Sequence, residues 1–402
     1  MPTTRSSERF NRKRIVVLID PGDSWGRGII RGISSAVRHL LPWDLLIAPR
    51  DDQWRLRVPR SWTGDGLIGA IRDDKTADHV CSLELPTVNV SSWEKTRPGW
   101  YRVQTDDRRR AEMAFEHFRD RGFRHFAYYG PPSLRYSDHR GRLFHDVVTS
   151  AGFPCEIFRI PSSRRGWHSL QEQTQVWLEN APRPLAIFAA DPHPGIQLTE
   201  ICNAAGFLVP EEIAILAGDT DDLLCNVSDP LLSSIVLASE RIGMASVRVL
   251  ETLLRGEEPP LTTEFIPPLY VIEQQSSEML AVDDPVFHAA LRFIRERAHT
   301  GIQVGDILRM SSVSRRSLEQ RFQKILGRTP ADEIRRIKLD RVKQLLIATE
   351  QTVEQIAQSS GFCGPAQLCF AFKKEVGQTP LGFRQSSRHD EAREHWPTNK
   401  TY

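Results

Sequence analysis

The hydrophobic pattern of the chain differs before and after the segment 276–285. In the N-terminal part, short β-branched and apolar runs alternate with stretches of helical periodicity, such as 26–40 and 106–121. This alternation is typical of a parallel sheet covered by helices, and it occurs twice, so it predicts two doubly wound α/β lobes. The predicted strands are 14–20, 45–47, 66–71 and 87–90 in the first lobe and 122–130, 155–160, 185–189 and 213–217 in the second.

The C-terminal part is a short helical unit that occurs twice. Six of its residues recur at a constant offset of fifty positions, and upstream the offset falls to forty-nine, so the second copy has one extra residue in its turn. An internal repeat of this kind predicts two similar structural modules. The recurring residues are Leu318, Phe322, Lys324, Gly327, Thr329 and Pro330 in the first copy and Leu368, Phe372, Lys374, Gly377, Thr379 and Pro380 in the second.

Each copy has the pattern of two helices around a tight turn. In the second copy, apolar residues at Val353 and Ile356 precede Gly361, which can adopt positive φ at a helix end, and the apolar period resumes at Leu368. This pattern predicts a helix-turn-helix motif in each copy. Between them, 331–347 predicts a helix of about 25 Å, which is long enough to hold two recognition helices about one duplex turn apart.

Charge supports a nucleic-acid partner for this part of the chain. The whole chain has a net charge of +2, whereas residues 283–384 hold 17 Lys and Arg against 11 Asp and Glu, a net of +6. Such a local excess suits contacts with phosphates. A helical bundle with a basic surface is the alternative interpretation, and the repeat argues against it.

The sequences VEQIAQSSGF (353–362) and FKKEVGQTPLGFR (372–384) resemble the signature of AraC-type regulators, over about a hundred C-terminal residues. By position in that family, the first recognition helix begins near Ser314. In the second module, Phe370 stands where a polar or basic residue is usual and Leu368 replaces a usual aromatic residue, so thymine-methyl and backbone contacts are expected there. The resemblance implies that residues of both modules contact DNA. They are Arg315, Arg316, Glu319 and Gln320 from the first module and Gly364, Pro365, Gln367 and Phe370 from the second, with Lys373 near phosphate.

Two stretches of the N-terminal part resemble the effector domains of LacI/GalR-type repressors, which are themselves similar to periplasmic sugar-binding proteins. They are AFEHFRDRGFRHFAYYG (114–130) and DPLLSSIVLASERIGMASVRVLETLLRGEEPP (229–260), and the resemblance covers residues 13–275. It implies that the chain crosses between the two lobes near Gly122, Ser234 and Leu261. It also implies a ligand in the cleft, at the carboxyl ends of the strands.

A LacI-type sensor followed by an AraC-type reader resembles the xylose-regulator-like transcription factors of bacteria, including GDGLI (64–68), TDD (105–107) and the Gly218-Asp219 step. The resemblance implies an activator of sugar-catabolic genes whose effector is xylose or a related aldose. The implied partners are a double-stranded DNA operator, RNA polymerase and a second copy of the chain, bound through the sensor domain. The sugar, the operator and the direction of the ligand effect stay open.

Side chains that suit a sugar follow the predicted strand ends. Carboxylates and guanidinium groups can pair with neighbouring hydroxyls, and an aromatic face suits the C–H side of the ring. Each such residue could instead be a helix cap or a surface charge. Asp219 is the leading candidate, and the whole set is Asp20, Trp25, Arg27, Tyr136, Arg140, Asp191 and Asp219.

Glycines after the first strand invite a dinucleotide-binding interpretation. Gly26, Gly28 and Gly32 have the spacing GxGxxxG, but they start well past the turn and differ from the GxGxxG fingerprint. We expect instead that Gly28 and Gly32 let one helix face lie close to the sheet.

Composition limits the classes of protein to which the chain can belong. A chain of 402 residues with 40% hydrophobic content can bury two or three cores. Six scattered cysteines without a CxxC pair favour reduced thiols in a cytoplasm and argue against a zinc site. No apolar run approaches the roughly twenty residues of a membrane helix, and the polar, basic start is unlike a signal peptide.

The expected organisation is a basic disordered tail (1–13), a sensor domain (14–275), a linker (276–285), a double helix-turn-helix domain (286–386) and a C-terminal tail (387–402). We expect no enzyme, no cofactor and no metal site, because no nucleophile, paired-carboxylate or metal motif has a fitting context. The alternatives are a soluble sugar-binding protein without a regulatory role and a regulator that responds to a non-sugar metabolite.

Overall fold

The structure is a computed structural model that describes residues 12–388 except Arg60, 93–96, Pro98, 132–134, 160–165, 279–283, Ser312 and Glu350. Contacts divide the chain into two compact units. The sensor unit comprises the residues up to 117 together with 124–279, and the reader unit comprises 118–123 and the residues from 280 onward. No helix of the described residues is long and apolar enough to cross a membrane.

The elements that precede position 279 alternate between strand and helix for most of their length. In chain order they are β1 (Lys13–Leu18), α1 (Ser24–Leu40), β2 (Trp43–Ile47), β3 (Gly66–Gly69), α2 (Asp74–Cys81), β4 (Thr87–Asn89), β5 (Trp100–Thr105), α3 (Asp107–Arg119), β6 (His125–Gly130), α4 (Arg135–Ser150), β7 (Cys155–Arg159), α5 (Gly166–Asn180), β8 (Leu185–Ala189), α6 (Pro192–Ala205), β9 (Ile213–Ala217), α7 (Leu224–Val227), β10 (Ser233–Val236), α8 (Ser239–Leu254), β11 (Thr263–Ile266) and β12 (Tyr270–Ile272).

Two six-stranded sheets form the two lobes of the sensor unit. The first has the order β2-β1-β3-β4-β5-β11 with parallel pairing, and the second has the order β7-β6-β8-β9-β10-β12, in which only β12 pairs antiparallel. Strands β3, β8 and β9 are buried along their whole length, as expected for parallel strands covered on both faces. The predicted fold class, two doubly wound lobes, is confirmed.

The crossings between the lobes differ from two of the three expected positions. β5 pairs in the first sheet, but α3 packs Phe115 against Phe126 and Phe153 of the second lobe, so the chain crosses at Thr105–Asp107 and not near Gly122. The last crossing lies between β11 and β12, and not near Leu261. Strand β5 was missed because its sequence, WYRVQT, lacks a continuous apolar run. The return occurs after β10, close to the expected Ser234.

The glycines of α1 have a different neighbour from the one expected. A Cβ at Gly32 would lie 2.0 Å from the carbonyl oxygen of Glu240, and one at Gly28 would lie 2.7 Å from Cβ of Ser239. Both neighbours belong to the start of α8, so the close approach is between α1 and α8 and not between α1 and the sheet. Two helices can come this close only where the residues of one helix at the contact lack a side chain, as Gly28 and Gly32 do.

The reader unit is entirely helical in its described part from position 284 onward. Its helices are α9 (Pro285–Arg297), α10 (Val304–Met310), α11 (Arg315–Leu326), α12 (Pro330–Ala348), α13 (Val353–Ser359), α14 (Pro365–Val376) and α15 (Pro380–Arg388). Helices α10 and α11 form the first helix-turn-helix, and α13 and α14 form the second. Gly361, predicted to take positive φ, has φ +76° at the end of α13.

Each helix-turn-helix has its own core, and α12 contributes to both. Leu318 and Phe322 of α11 pack with Ile334 of α12, whereas Leu368 of α14 packs with Val342 further along α12. At 1.5 Å per residue, α12 is about 28 Å long. It is therefore one element shared by the two modules, as predicted for the helix 331–347 between the two copies.

Some expected boundaries fall close to observed elements. β1 begins at Lys13, inside the proposed basic tail, and α9 begins at Pro285, at the end of the proposed linker. Residues 1–11 of that tail, 279–283 of the linker and 389–402 of the C-terminal tail lie outside the described residues. The domain limits given above therefore stay predictions.

Candidate ligand cleft and DNA-binding surface

Four of the predicted ligand residues meet at the carboxyl ends of the strands of the second lobe. The hydroxyl of Tyr136 donates to Asp191 Oδ2 at 2.9 Å, and the guanidinium of Arg140 lies 4.5 Å from the centre of the Tyr136 ring. Arg140 also donates to the Ala190 carbonyl at 3.1 Å. These contacts give a polar wall with an aromatic ring, a carboxylate and a guanidinium. Asp219 supplies a second carboxylate, on which the charges of Arg140 and Asp191 act.

Two residues that sequence reasoning missed complete this wall. Asp107 and Arg110 lie in the first turn of α3 and form a buried ion pair. Nη1 of Arg110 also donates to the Gly218 carbonyl at 2.9 Å, and Asp107 Oδ1 lies 3.4 Å from Nε of Arg140. The available signal was the Asp-x-x-Arg spacing at a helix start, which places both side chains on one face. This spacing is also typical of an ordinary helix start, so by itself it does not indicate a ligand site.

Asp219 has an unusual electrostatic environment. Burial raises its pKa to about 7, although the nearby Arg110 and the hydrogen bond from the Thr220 amide, 2.7 Å long, favour the charged form. Burial, followed by repulsion from Arg140, lowers the pKa of Arg110 to about 9. The wall is therefore a buried cluster of charged groups. Two of its polar atoms, Asp107 Oδ2 and Arg110 Nε, have no hydrogen-bond partner among the described residues.

The candidates of the first lobe lie at the end of β1 and the start of α1. Asp20 accepts from Arg50 at 2.6 Å; partial burial would raise its pKa, but this bond and the Gly22 amide keep the pKa below its usual value. Arg27 is exposed and donates to the loop carbonyls of Pro21 and Gly22. The structure thus places Asp20 and Arg27 in loop-holding contacts.

Trp25, the aromatic candidate of the first lobe, is half-buried beneath a cation. The guanidinium of Arg72, which follows β3, lies 4.9 Å from the centre of the Trp25 ring. The charge of Arg72 also acts on Tyr136 of the second lobe. Arg72 was not predicted as a site residue.

Asp221 joins the two lobes directly. Its Oδ2 accepts from the Ser24 hydroxyl at 2.7 Å and lies 3.6 Å from Nη2 of Arg27, while its Oδ1 accepts from the amides of Leu223 and Leu224. One carboxylate therefore caps α7 in the second lobe and holds the start of α1 in the first. Sequence reasoning missed it, because Asp221 is one of three aspartates in a row of four residues.

The first recognition helix, α11, presents its predicted DNA contacts to solvent. Ser314 caps the helix by accepting from the Ser317 amide, and Arg315, Arg316 and Gln320 are exposed. Nε of Arg315 donates to Glu319 at 2.9 Å, which leaves the Nη groups of its guanidinium available to pair with a guanine. The buried face of the same helix carries the core residues, so the polar face is the one available to a partner.

The second recognition helix, α14, has a less polar face. Phe370 is 74% exposed, which is unusual for an aromatic residue, while Leu368 on the same helix is fully buried. Gln367 accepts from the Cys363 amide at 2.9 Å, so its carbonyl oxygen serves the turn and its amide group is left for a base. Pro365 and Lys373 are exposed, and Gly364 precedes the helix as its N-cap.

No group of three or more potential metal ligands occurs among the described residues. The two sites are thus a charged cleft between two lobes and an exposed pair of helices on a separate unit. The described residues hold no further constellation that the sequence had pointed to.

Comparison with known proteins supports this division. The chain matches the model of a periplasmic binding protein-like domain over residues 115–277 and that of a helix-turn-helix domain over residues 307–386. A two-lobed binding fold and a doubled helix-turn-helix on one chain define a DNA-binding transcription regulator with a ligand sensor.

The chain is similar to particular regulators over nearly its whole length. It is 27% identical to the xylose operon regulatory protein of Escherichia coli (strain K12), over 93% of this chain and 97% of that protein. It is also 27% identical to the protein of the same name from Haemophilus influenzae, over 92% and 98%. The solved structure of a xylose-binding transcription activator matches with TM-score 0.60 and 26% identity over 94% of this chain and 98% of that one. A ribose-bound LacI family regulator from Enterococcus faecium shares the fold over 66% of this chain and 98% of its own, with TM-score 0.52 and 19% identity.

Proposed function

We propose that this protein activates transcription of sugar-catabolic genes when a small sugar, D-xylose or a related aldose, binds in the sensor cleft. The observation that carries the proposal is the cluster of Tyr136, Arg140, Asp191 and Asp219 with the buried pair Asp107 and Arg110, on the same chain as two exposed recognition helices. The relatives that match along the whole chain are named for xylose.

The chemistry of the cleft suits a polyhydroxylated ligand. Vicinal hydroxyls can donate to one carboxylate and accept from a guanidinium, and the cleft offers both groups side by side. Asp107 Oδ2 and Arg110 Nε are buried without hydrogen bonds among the described residues, and such unsatisfied groups cost free energy. The Tyr136 ring supplies an apolar face.

Titration calorimetry with D-xylose, L-arabinose, D-ribose and D-glucose tests the effector. We expect heat from at least one pentose and a much weaker response to glucose, because an added hydroxymethyl group requires space between the lobes. No heat from any aldose would remove the sugar from the proposal and favour the alternative, a non-sugar metabolite.

Binding to DNA is tested separately from the ligand. Duplexes enriched from a random pool by the full-length protein should share one sequence motif, and the protein should retard that duplex in a gel. Transcription with purified RNA polymerase from a promoter carrying the motif should rise on addition of the sugar. Sugar binding without enrichment of any duplex would favour the alternative of a sugar-binding protein without a regulatory role.

The proposed switch is closure of the two lobes. A ligand that contacts both lobes can shift the equilibrium only by the difference in its affinity for the closed and open states. The bond from Ser24 to Asp221 already joins the lobes beside the cleft, so we expect it to favour the closed state. Ser24→Ala should therefore weaken sugar binding modestly and leave DNA binding without sugar unchanged.

The proposal includes a homodimer formed through the sensor unit, in a cytoplasm. Leu223 and Val227 flank one turn of α7 and are 70% and 69% exposed, an apolar pair that a partner would cover. A second copy is the partner we propose, since paired readers would bind paired half-sites. Sedimentation should show a dimer, and Leu223→Glu should shift it to a monomer; an unchanged dimer would place the interface elsewhere.

A further inference from the structure

The cationic side chains of α12 fall into two groups by what they contact. Arg335, Arg336 and Lys343 pair with carboxylates of the same helix. Lys338 and Arg341 instead reach the turn of the second helix-turn-helix: Nζ of Lys338 donates to the Gly361 carbonyl at 2.8 Å and Nε of Arg341 donates to the Ser359 carbonyl at 3.0 Å. The positive charge of these two residues is therefore engaged within the protein.

The two carbonyls lie at the C-terminal end of α13, where the helix dipole favours a cation. The ammonium of Lys338 also lies 5.7 Å from the centre of the Phe362 ring, which is buried in the core of the second module. Lys338 is partly buried, and this burial lowers its pKa. The turn is thus held by two charge-assisted bonds, of which the Lys338 bond is partly buried and the Arg341 bond is exposed.

The same turn is enclosed on its other side. A Cβ at Gly361 would lie 2.4 Å from the carbonyl oxygen of Ala298, in the 3₁₀ turn between α9 and α10. The turn of the second module therefore lies between α12 and the segment that leads into the first module. Since α14 begins at Pro365, four residues later, its direction depends on how this turn is held.

The corresponding turn of the first module is held differently. Ser311 donates to the Ile307 carbonyl, the Val313 amide donates to the Ser311 carbonyl, and Ser314 caps α11. These described hydrogen bonds are all local, and none of them reaches α12. The two copies of the repeat thus differ in the way that their turns are attached to the shared helix.

We infer that Lys338 and Arg341 are positioning residues that fix α14 relative to α12 and so set the spacing at which the two recognition helices bind one duplex. This inference rests on the proposed function, because it assumes that both modules bind DNA. Neither residue needs to touch DNA in this role. We call Lys338 and Arg341 together the clamp. With the clamp in place, the two helix-turn-helix modules bind DNA as one unit, at a site whose half-sites have a fixed spacing.

The test measures tolerance to spacing. A duplex enriched by the wild-type protein is mapped by footprinting to locate the two half-sites, and one or two base pairs are then inserted between them. Each inserted base pair moves the second half-site by about 3.4 Å and rotates it by about 36°. We expect the wild-type protein to lose at least tenfold in affinity on a single insertion.

The clamp variant is Lys338→Met with Arg341→Ala, in the full-length protein. We expect at least a tenfold loss of affinity for the native spacing and a penalty of less than threefold for an insertion. Arg335→Ala, on the same helix, is the control and should keep the full spacing penalty. Lys338→Met with Arg341→Lys, which conserves the charge at position 341, should show a larger spacing penalty than the clamp variant.

The outcomes distinguish a role of Lys338 and Arg341 in positioning α14 from a role only in stabilising the fold. A clamp variant that binds weakly but keeps the full penalty overturns the inference, because the two residues then only stabilise the fold. A clamp variant that does not fold is replaced by Arg341→Ala alone, for which an undiminished spacing penalty is the contradicting result. Failure of the wild-type protein to enrich any duplex would reject the proposed function itself.

Discussion

The sensor cleft and the recognition helices use charged residues in opposite ways. In the cleft, Asp107 and Arg110 are almost fully buried and contact each other, and Arg110 also bonds a backbone carbonyl of a distant loop. On the recognition helices, Arg315 and Lys373 are exposed, and only Arg315 has a described ion-pair partner, on the same helix. The first site is preorganised and the second is adaptable.

The difference follows from the two kinds of ligand. A small sugar offers few contacts, so each must be strong, which requires dehydrated groups in fixed positions. Duplex DNA offers many phosphates and base edges, and long exposed side chains can adjust to them. Substitutions in the cleft should therefore affect folding and binding strongly, whereas those on the helices should affect specificity in smaller steps.

The largest effect is expected for Arg110→Met. Removing the guanidinium leaves Asp107 as a buried carboxylate that has lost its closest partner, and breaking a buried pair in this way costs about 3 to 5 kcal/mol of unfolding free energy. Urea denaturation followed by circular dichroism measures it. Arg108→Met is the control, because Arg108 is exposed and a surface pair is worth about 0 to 1 kcal/mol. Equal stability losses in the two variants would contradict the distinction between buried and exposed charges.

Asp219→Ala should be next in size. If Asp219 accepts hydrogen bonds from two sugar hydroxyls, the loss is about 2 to 4 kcal/mol, or at least thirtyfold in affinity. The variant should bind its operator with unchanged affinity in the absence of sugar. Asp222→Ala is the matched control, since Asp222 is exposed and three residues away. Calorimetry that finds wild-type sugar affinity in the Asp219 variant would exclude Asp219 from the site.

The raised pKa of Asp219 predicts a dependence of stability on pH. The folded protein has a pKa of about 7 at this carboxyl, above its ordinary value, so ionisation destabilises the fold progressively as the pH rises from about 4 to about 7. Asp219→Asn removes this cost, and we expect it to raise the melting temperature of the ligand-free protein by a few degrees at pH 8 but not at pH 4. An equal shift at both pH values would contradict the assignment.

Arg315→Ala should cost about 1 to 3 kcal/mol at one base position. The guanidinium is exposed on α11, and its Nη groups are available to pair with guanine. Binding titrations on operators with single base changes should show relaxed preference at that position. Arg309→Ala removes the same charge from the neighbouring helix α10 and should leave base preference intact. An unchanged preference in the Arg315 variant would mean that the register assigned to α11 is wrong.

The smallest effect is expected for Lys373→Ala. Lys373 is exposed near the end of α14, where the resemblance places a phosphate. Its loss should weaken binding to all sequences alike and reduce the slope of log affinity against log salt by about 1. A change of base preference, or an unchanged slope, would contradict a phosphate contact.

The sequence alone predicted the reader well because its interactions are local. The start of α11 at Ser314, the positive φ of Gly361 and the alternation of core and exposed positions on α11 and α14 all depend on residues within a few positions of each other. Because the same pattern occurs in both copies, each copy supported the prediction made for the other. The modules were therefore visible before any contact between them was known.

The tertiary structure decided the cleft and the way in which the two modules are held. The bond from Arg110 to the Gly218 carbonyl spans 108 positions and that from Ser24 to Asp221 spans 197, so the contacts that bring Asp107, Arg110 and Asp221 to the cleft are not visible in the local sequence. The attachment of Gly361 to Lys338 spans 23 positions and depends on where α12 passes. Folding also buries Asp219, and this burial raises its pKa. The sequence determined which elements form and which of their faces are polar, whereas the packing of distant segments determined which charges lose their water and acquire a partner.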